Sequence, residues 1–93
     1  MRFEWDEDKN RANRSKHHVS FETAQDVFSD PLHISVPDRV VAGEQRWQTV
    51  GAVGGVVLLV VAHTYFEDDD GEVIRIISAR KATRRERATY ENG

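Results

Sequence analysis

No cysteine occurs among the 93 residues. This excludes a disulfide scaffold, a thiolate metal site and a thiol nucleophile, and it suits a reducing cytoplasm. Proline is nearly absent too: only Pro31 and Pro37 occur. Without repeats, low-complexity tracts or a linker, residues 1–93 read as a single domain with one core, because so short a chain buries only about 60–65% of its unfolded surface. Long apolar runs are also missing. The longest, Val56 to Ala62, has seven residues, where a membrane span needs about twenty, so it reads as a buried strand and no membrane association is expected. The opening Met1-Arg2-Phe3-Glu4-Trp5-Asp6 lacks the apolar stretch of a secretory signal, and the expected location is the cytoplasm.

What is there is charge, unevenly placed. The formal net charge is −3, yet residues 75–93 hold six Lys/Arg against two Asp/Glu, while residues 31–74 hold two against seven. An acidic whole with a basic end points to a local anionic ligand rather than a generally adhesive polycation.

Phe3-Glu4-Trp5 alternates like a short strand, and Asp6 can cap a helix running to about His17, with Glu7 and Asp8 in its first turn. That helix has Ala12 as its only apolar residue, so little of it should pack against a core. Lys9, Asn13, Lys16 and His17 share one polar, basic face, and Glu7 can pair with Arg11 at i, i+4. Ser20 opens a second helix whose stripe of Phe21, Ala24, Val27 and Phe28 belongs to the core, until Asp30-Pro31 stops it. Period-two patterning then predicts four strands: 33–36, 46–50, 56–66 and 72–78. Their connections are too short for a parallel crossover, so the last three form an antiparallel meander. Thr83-Arg84-Arg85-Glu86 has capping-box spacing and predicts a closing helix from Thr83 to Glu91. The expected fold is α+β, with two N-terminal helices and a C-terminal helix on a curved antiparallel sheet.

The richest segment runs from Arg75 to Arg87. Lys81, Arg84 and Arg85 crowd a helix N-terminus, against the dipole, so an anion is expected there. Helix amides and guanidinium forks together make a phosphate site, with a nucleic-acid backbone as the natural ligand. A solvated basic face paired with the chain's own acids is the plainer alternative. Alternation puts Arg75 and Arg80 on opposite sides of their strand, and a bulge or the end of the strand near Ala79 would be needed to bring both to one groove. His63 shares a strand face with Leu59, Val61 and Tyr65. It is either a histidine hydrogen-bonded at the sheet rim or a proton-transfer group whose pKa neighbouring arginines lower. Asp68-Asp69-Asp70-Gly71 does not fit a calcium loop and reads as a polar hairpin turn, so no metal site is expected. Trp5 and Trp47 read as packing residues.

Together these residues resemble the BrnT toxin family: Phe3-Glu4-Trp5-Asp6 with Lys9, Asn13 and Lys16-His17; Val19-Ser20-Phe21-Glu22 with Ala24 and Phe28; Arg46-Trp47; and Arg75-Ile76-Ile77-Ser78-Ala79-Arg80 with Thr83 to Arg87 and Tyr90. The resemblance implies a RelE-like fold and ribonuclease toxicity in bacteria. It also implies neutralisation by a BrnA-type antitoxin, which carries the DNA-binding part of the complex. In one departure, Lys16-His17-His18 replaces the family's Lys-His-Gly, which predicts a differently closed helix.

On this reading the chain is an endoribonuclease needing no metal or cofactor, in which the ribose 2′-hydroxyl attacks the adjacent phosphorus. Arg75 and Arg80 are the catalytic cations, His63 the acid or base, and Tyr90 its substitute. Arg46, Lys81, Arg84, Arg85 and Arg87 are the phosphate-binding candidates, and Lys9, Asn13 and Lys16 contact RNA or antitoxin. The rival reading is a non-catalytic interaction module whose basic tail binds an acidic partner or nucleic acid.

Overall fold

The β-branched, period-two second half of the chain forms a sheet, and the polar first half lies across one side of it. The computed structural model describes residues 1–93. Strand β1 (Arg2–Glu4) leads into helix α1 (Glu7–His17), the single turn α2 (Phe21–Ala24) and a 3₁₀ segment (Gln25–Ser29). Strands β2 (Ile34–Val41), β3 (Glu44–Val53), β4 (Val57–Asp68) and β5 (Gly71–Lys81) follow, and helix α3 (Arg84–Asn92) closes the chain.

The sheet order is β1-β5-β4-β3-β2. Strands β3 to β5 form the expected antiparallel meander, and β2 extends it by pairing antiparallel with β3. The sheet as a whole is mixed, however, because β1 pairs in parallel with β5, Phe3 opposite Ile74. The expected second helix is one α-helical turn tightened into a 3₁₀ segment. The strands run longer than their apolar cores because ladder pairing needs no apolar side chain. The β2–β3 turn, for example, is made by Ala42 and Gly43, both at positive φ.

The core lies between the sheet and the helical layer. Val19, Phe21, Ala24 and Val27 pack on Leu59, Val61, Ile74, Ile76 and Ala79. This side is the helix face. Gly51 is required there, since a Cβ at that position would lie 2.8 Å from Val27 Cγ1 and 3.0 Å from the Val27 carbonyl. Removing that side chain lets the 3₁₀ segment press onto β3.

Helix α1 docks by amides, not by apolar side chains. Asn10 is fully buried: its Nδ2 donates to Glu7 and Glu22, and its Oδ1 accepts from the Phe21 amide. Asn13 donates to the Val19 and Ala79 carbonyls and accepts from the Ala79 amide. Since β1 pairs only with Val73 to Arg75, Asn13 closes the open edge of β5 beyond it. Glu7 is thus held by Asn10 and by Trp5 Nε1 at 3.1 Å, and Arg11 pairs with Asp8 rather than with Glu7. Asp6 caps α1 as expected, accepting from the Asp8 amide at 2.8 Å. At its other end His18 adopts φ 60° and donates its amide to the Arg14 carbonyl. The helix therefore closes in the left-handed conformation that glycine favours, despite the histidine.

Candidate nucleic-acid interface

The β4–β5 register shifts between Ala62 and His63, because Ile77 is an extra residue on β5. Beyond this bulge the alternation of β5 inverts. Arg75 pairs with Thr64, Ser78 with Ala62 and Arg80 with Val60, and all of these lie on the face opposite the helical layer. Of the two devices that sequence alternation allowed, the bulge is present and the strand end near Ala79 is not, since β5 runs on to Lys81; the bulge puts Arg75 and Arg80 on one surface. Arg46 joins them, since it precedes Trp47, whose partner is the helix-face residue His63. We call this surface the arginine face.

Two cations on the arginine face are engaged by the chain's own carboxylates. Arg75 donates to Glu4 Oε1 at 2.8 Å; the two side chains are 44% and 38% exposed, so the pair is open to water and weak. Arg80 grips Glu86 through both ends of its fork, at 2.7 and 2.8 Å. Glu86 also accepts from the Thr83 amide at 2.9 Å, completing the capping box. The Arg80 fork, reinforced by the Thr83 amide, holds the Glu86 carboxyl down at about 2. Glu86 is thus taken up by Arg80 and the Thr83 amide, and not by Lys81, Arg84 or Arg85, the cations for which an anion is expected. Arg84, Arg85 and Arg87 are exposed on α3 without carboxylate partners.

Arg46 differs. Its Nε is buried and has no hydrogen-bond partner, and the same holds for Thr64 Oγ1 on the adjacent strand of this face. Thr64 was not among the residues singled out from sequence. A threonine in a strand carries no signal of its own, and only the register beside Arg75 reveals it.

Lys81 leaves the set. It pairs with the core residue Leu59 and lines a cleft on the helix side. His63 leaves it as well: it is fully buried on the helix face rather than at the rim. Its Nε2 lies 2.7 Å from Thr49 Oγ1, and its ring packs edge-on against Phe28 and Tyr65, both with centroids at 4.9 Å. Burial, not neighbouring arginines, lowers its pKa to about 4. Tyr90 donates its hydroxyl to Asp30 Oδ2 at 2.6 Å, and that bond raises the pKa of the phenol. Asp30 also accepts from the Ala52 and Leu32 amides, so Tyr90 ties α3 to the turn before β2.

Asn13 is structural, as its bonds to Ala79 show, while Lys9 and Lys16 are exposed. Lys9, Lys16 and His17 flank a shallow groove of about 220 Å³ whose floor includes Ile77 and Ser78. The basic side of α1 thereby adjoins the arginine face at the bulge. Trp47 stacks edge-on with Tyr65 at 5.7 Å and Trp5 with Phe21 at 6.1 Å, both as packing residues.

The model of a family described as ribonuclease toxin, BrnT, of type II toxin–antitoxin systems matches residues 5–86. The chain belongs to the BrnT family. Its fold agrees with the 1.1 Å crystal structure of the ribonuclease toxin BrnT of Brucella abortus, at a TM-score of 0.64 and 23% identity over 90% of this chain and 99% of that one. No curated protein matches. As a BrnT ribonuclease toxin, the chain has RNA as substrate and an antitoxin as partner.

Proposed function

We propose that the arginine face is where this BrnT toxin binds and cuts RNA, by a RelE-like arrangement of cations and without a metal. Arg75, Arg80 and Arg46 hold the scissile phosphate. The neighbouring 2′-hydroxyl attacks phosphorus and gives its proton to water, the bond to the 5′-oxygen breaks as that oxygen takes a proton from water, and a 2′,3′-cyclic phosphate and a free 5′-hydroxyl result. The guanidinium groups offset the charge that builds on the phosphoryl oxygens. The observation that carries this reading is the Ile77 bulge, which gathers Arg75 and Arg80 on one face beside the unpartnered Arg46 Nε.

A phosphate competes directly with Glu4 for Arg75, an exposed pair that costs little to exchange. Exposed Arg84, Arg85 and Arg87 extend the cationic track along α3. His63 and Tyr90 act in this scheme through packing and tethering, not as acid or base. The partner antitoxin is of the BrnA type, and DNA is reached only through it. Incubation of the purified protein with RNA in excess chelator tests the reading. Fragments ending in 2′,3′-cyclic phosphate are expected, and intact RNA with folded protein would favour the non-catalytic interaction module instead.

A further inference from the structure

The largest cleft of the molecule lies on the helix face, away from the arginine face. It measures about 520 Å³ and opens between the end of α1, the start of α2 and the β3–β4 hairpin. Its floor is apolar: Val19 and Leu59 are buried core residues, and Val53 and Val57 continue them outward. Val57 is 43% exposed and its neighbour Val56 79% exposed. Arg14 and Lys81 stand at the rim with His18, and no carboxylate and no Phe, Tyr or Trp lines the cleft. Neither cation takes part in any of the four ion pairs, whereas Arg75 and Arg80 on the opposite face do.

A cleft of this size accepts two or three apolar side chains. Unpaired cations around an apolar floor call for carboxylates flanking those side chains. Nucleic acid is disfavoured because the floor is four aliphatic side chains, with no Phe, Tyr or Trp to stack on a base. We propose that this cleft seats an acidic, apolar-anchored segment of the antitoxin, a proposal that rests on the type II toxin reading. The anchoring site is then on the helix side of the sheet, separate from the surface that holds RNA. Lys81, on the opposite side of β5 from Arg80, has its use here.

The test uses the full-length protein and the small protein encoded beside it, accepted as the antitoxin when it restores growth to cells expressing the wild-type chain. It is titrated into wild type, Arg14→Glu and Val57→Asp, with RNA cleavage by each toxin measured alone. Affinity is expected to fall about tenfold for Arg14→Glu, most at low salt, and about thirtyfold for Val57→Asp. Cleavage and melting temperature are expected to stay at the wild-type level. Unchanged affinity in both variants overturns the cleft while leaving the antitoxin reading standing. Retained affinity with lost cleavage assigns the cleft to RNA and also overturns it. A wild-type chain that binds no neighbouring protein defeats the antitoxin reading, and the cleft proposal with it.

Discussion

The two faces of the sheet differ in how they treat polar groups. On the helix face the buried amides of Asn10 and Asn13 find partners in the backbone and in carboxylates, and His63 Nε2 sits against Thr49 while its Nδ1 has no partner, so polarity there mostly serves cohesion. On the arginine face, Arg75 and Glu4 form a pair open to water, while Arg46 Nε and Thr64 Oγ1 have no partner at all. Buried polar groups are ordinarily satisfied, and what the helix face lacks is two such orphans beside a cation held only by an exposed pair. The helix face holds most of the core, while the arginine face combines the Arg80–Glu86 tie to α3 with the exposed cations proposed to bind RNA.

Phe21→Ala should show the largest effect. It deletes a fully buried ring at the centre of the helix face and should cost about 3–5 kcal/mol in denaturant unfolding. A loss under ~1 kcal/mol would mean that this face does not hold the fold. Arg75→Ala should do the reverse. Its stability change should stay within about 1 kcal/mol, because it breaks only an exposed pair. RNA cleavage should fall about 10²–10³-fold, the usual consequence of removing a preorganised donor. Parallel losses of stability and cleavage would blur the two faces into one.

The third prediction is a pH dependence. The unfolded chain protonates His63 near 6.5 and the folded chain only near 4, so below 6.5 the unfolded state takes up the proton first. Stability should be level above pH 6.5 and decline as pH falls from 6.5 toward 4, by an amount on the order of 3 kcal/mol. The arginine-paired Glu86, held down at about 2, adds its own loss at lower pH, as the medium falls through its ordinary value of 4.5. Replacement of His63 by glutamine should flatten the upper window and leave the lower one. The smallest effect concerns His18, at φ 60°. His18→Gly should raise stability by about 1 kcal/mol by relieving the left-handed backbone, without changing cleavage.

Much of this division was legible in the sequence. The Asp6 cap, the Phe21-Ala24-Val27-Phe28 stripe, the meander and the Thr83-Glu86 capping box follow from local rules, and the structure has each of them. What local rules miss is what depends on partners distant in the chain. Asn13 looks like a surface residue until β5 is laid beside it, 66 positions away. His63 looks like a rim base because strand alternation cannot say which face the helices cover. Glu86 looks like a simple cap until Arg80 closes on it from the preceding strand. The bulge was legible only as one of two ways to bring Arg75 and Arg80 together, and the register of β4 against β5 locates it at Ile77.

The central claim is that RNA lies on the arginine face, and amide chemical-shift mapping with an RNA carrying a 2′-deoxy block at the cleavage position tests it most directly. The account predicts shifts concentrated at Arg46, Thr64, Arg75, Ser78 and Arg80, with Phe28, Thr49 and His63 little changed. Shifts centred on Thr49 and His63, with Arg46 and Arg75 unmoved, would contradict it.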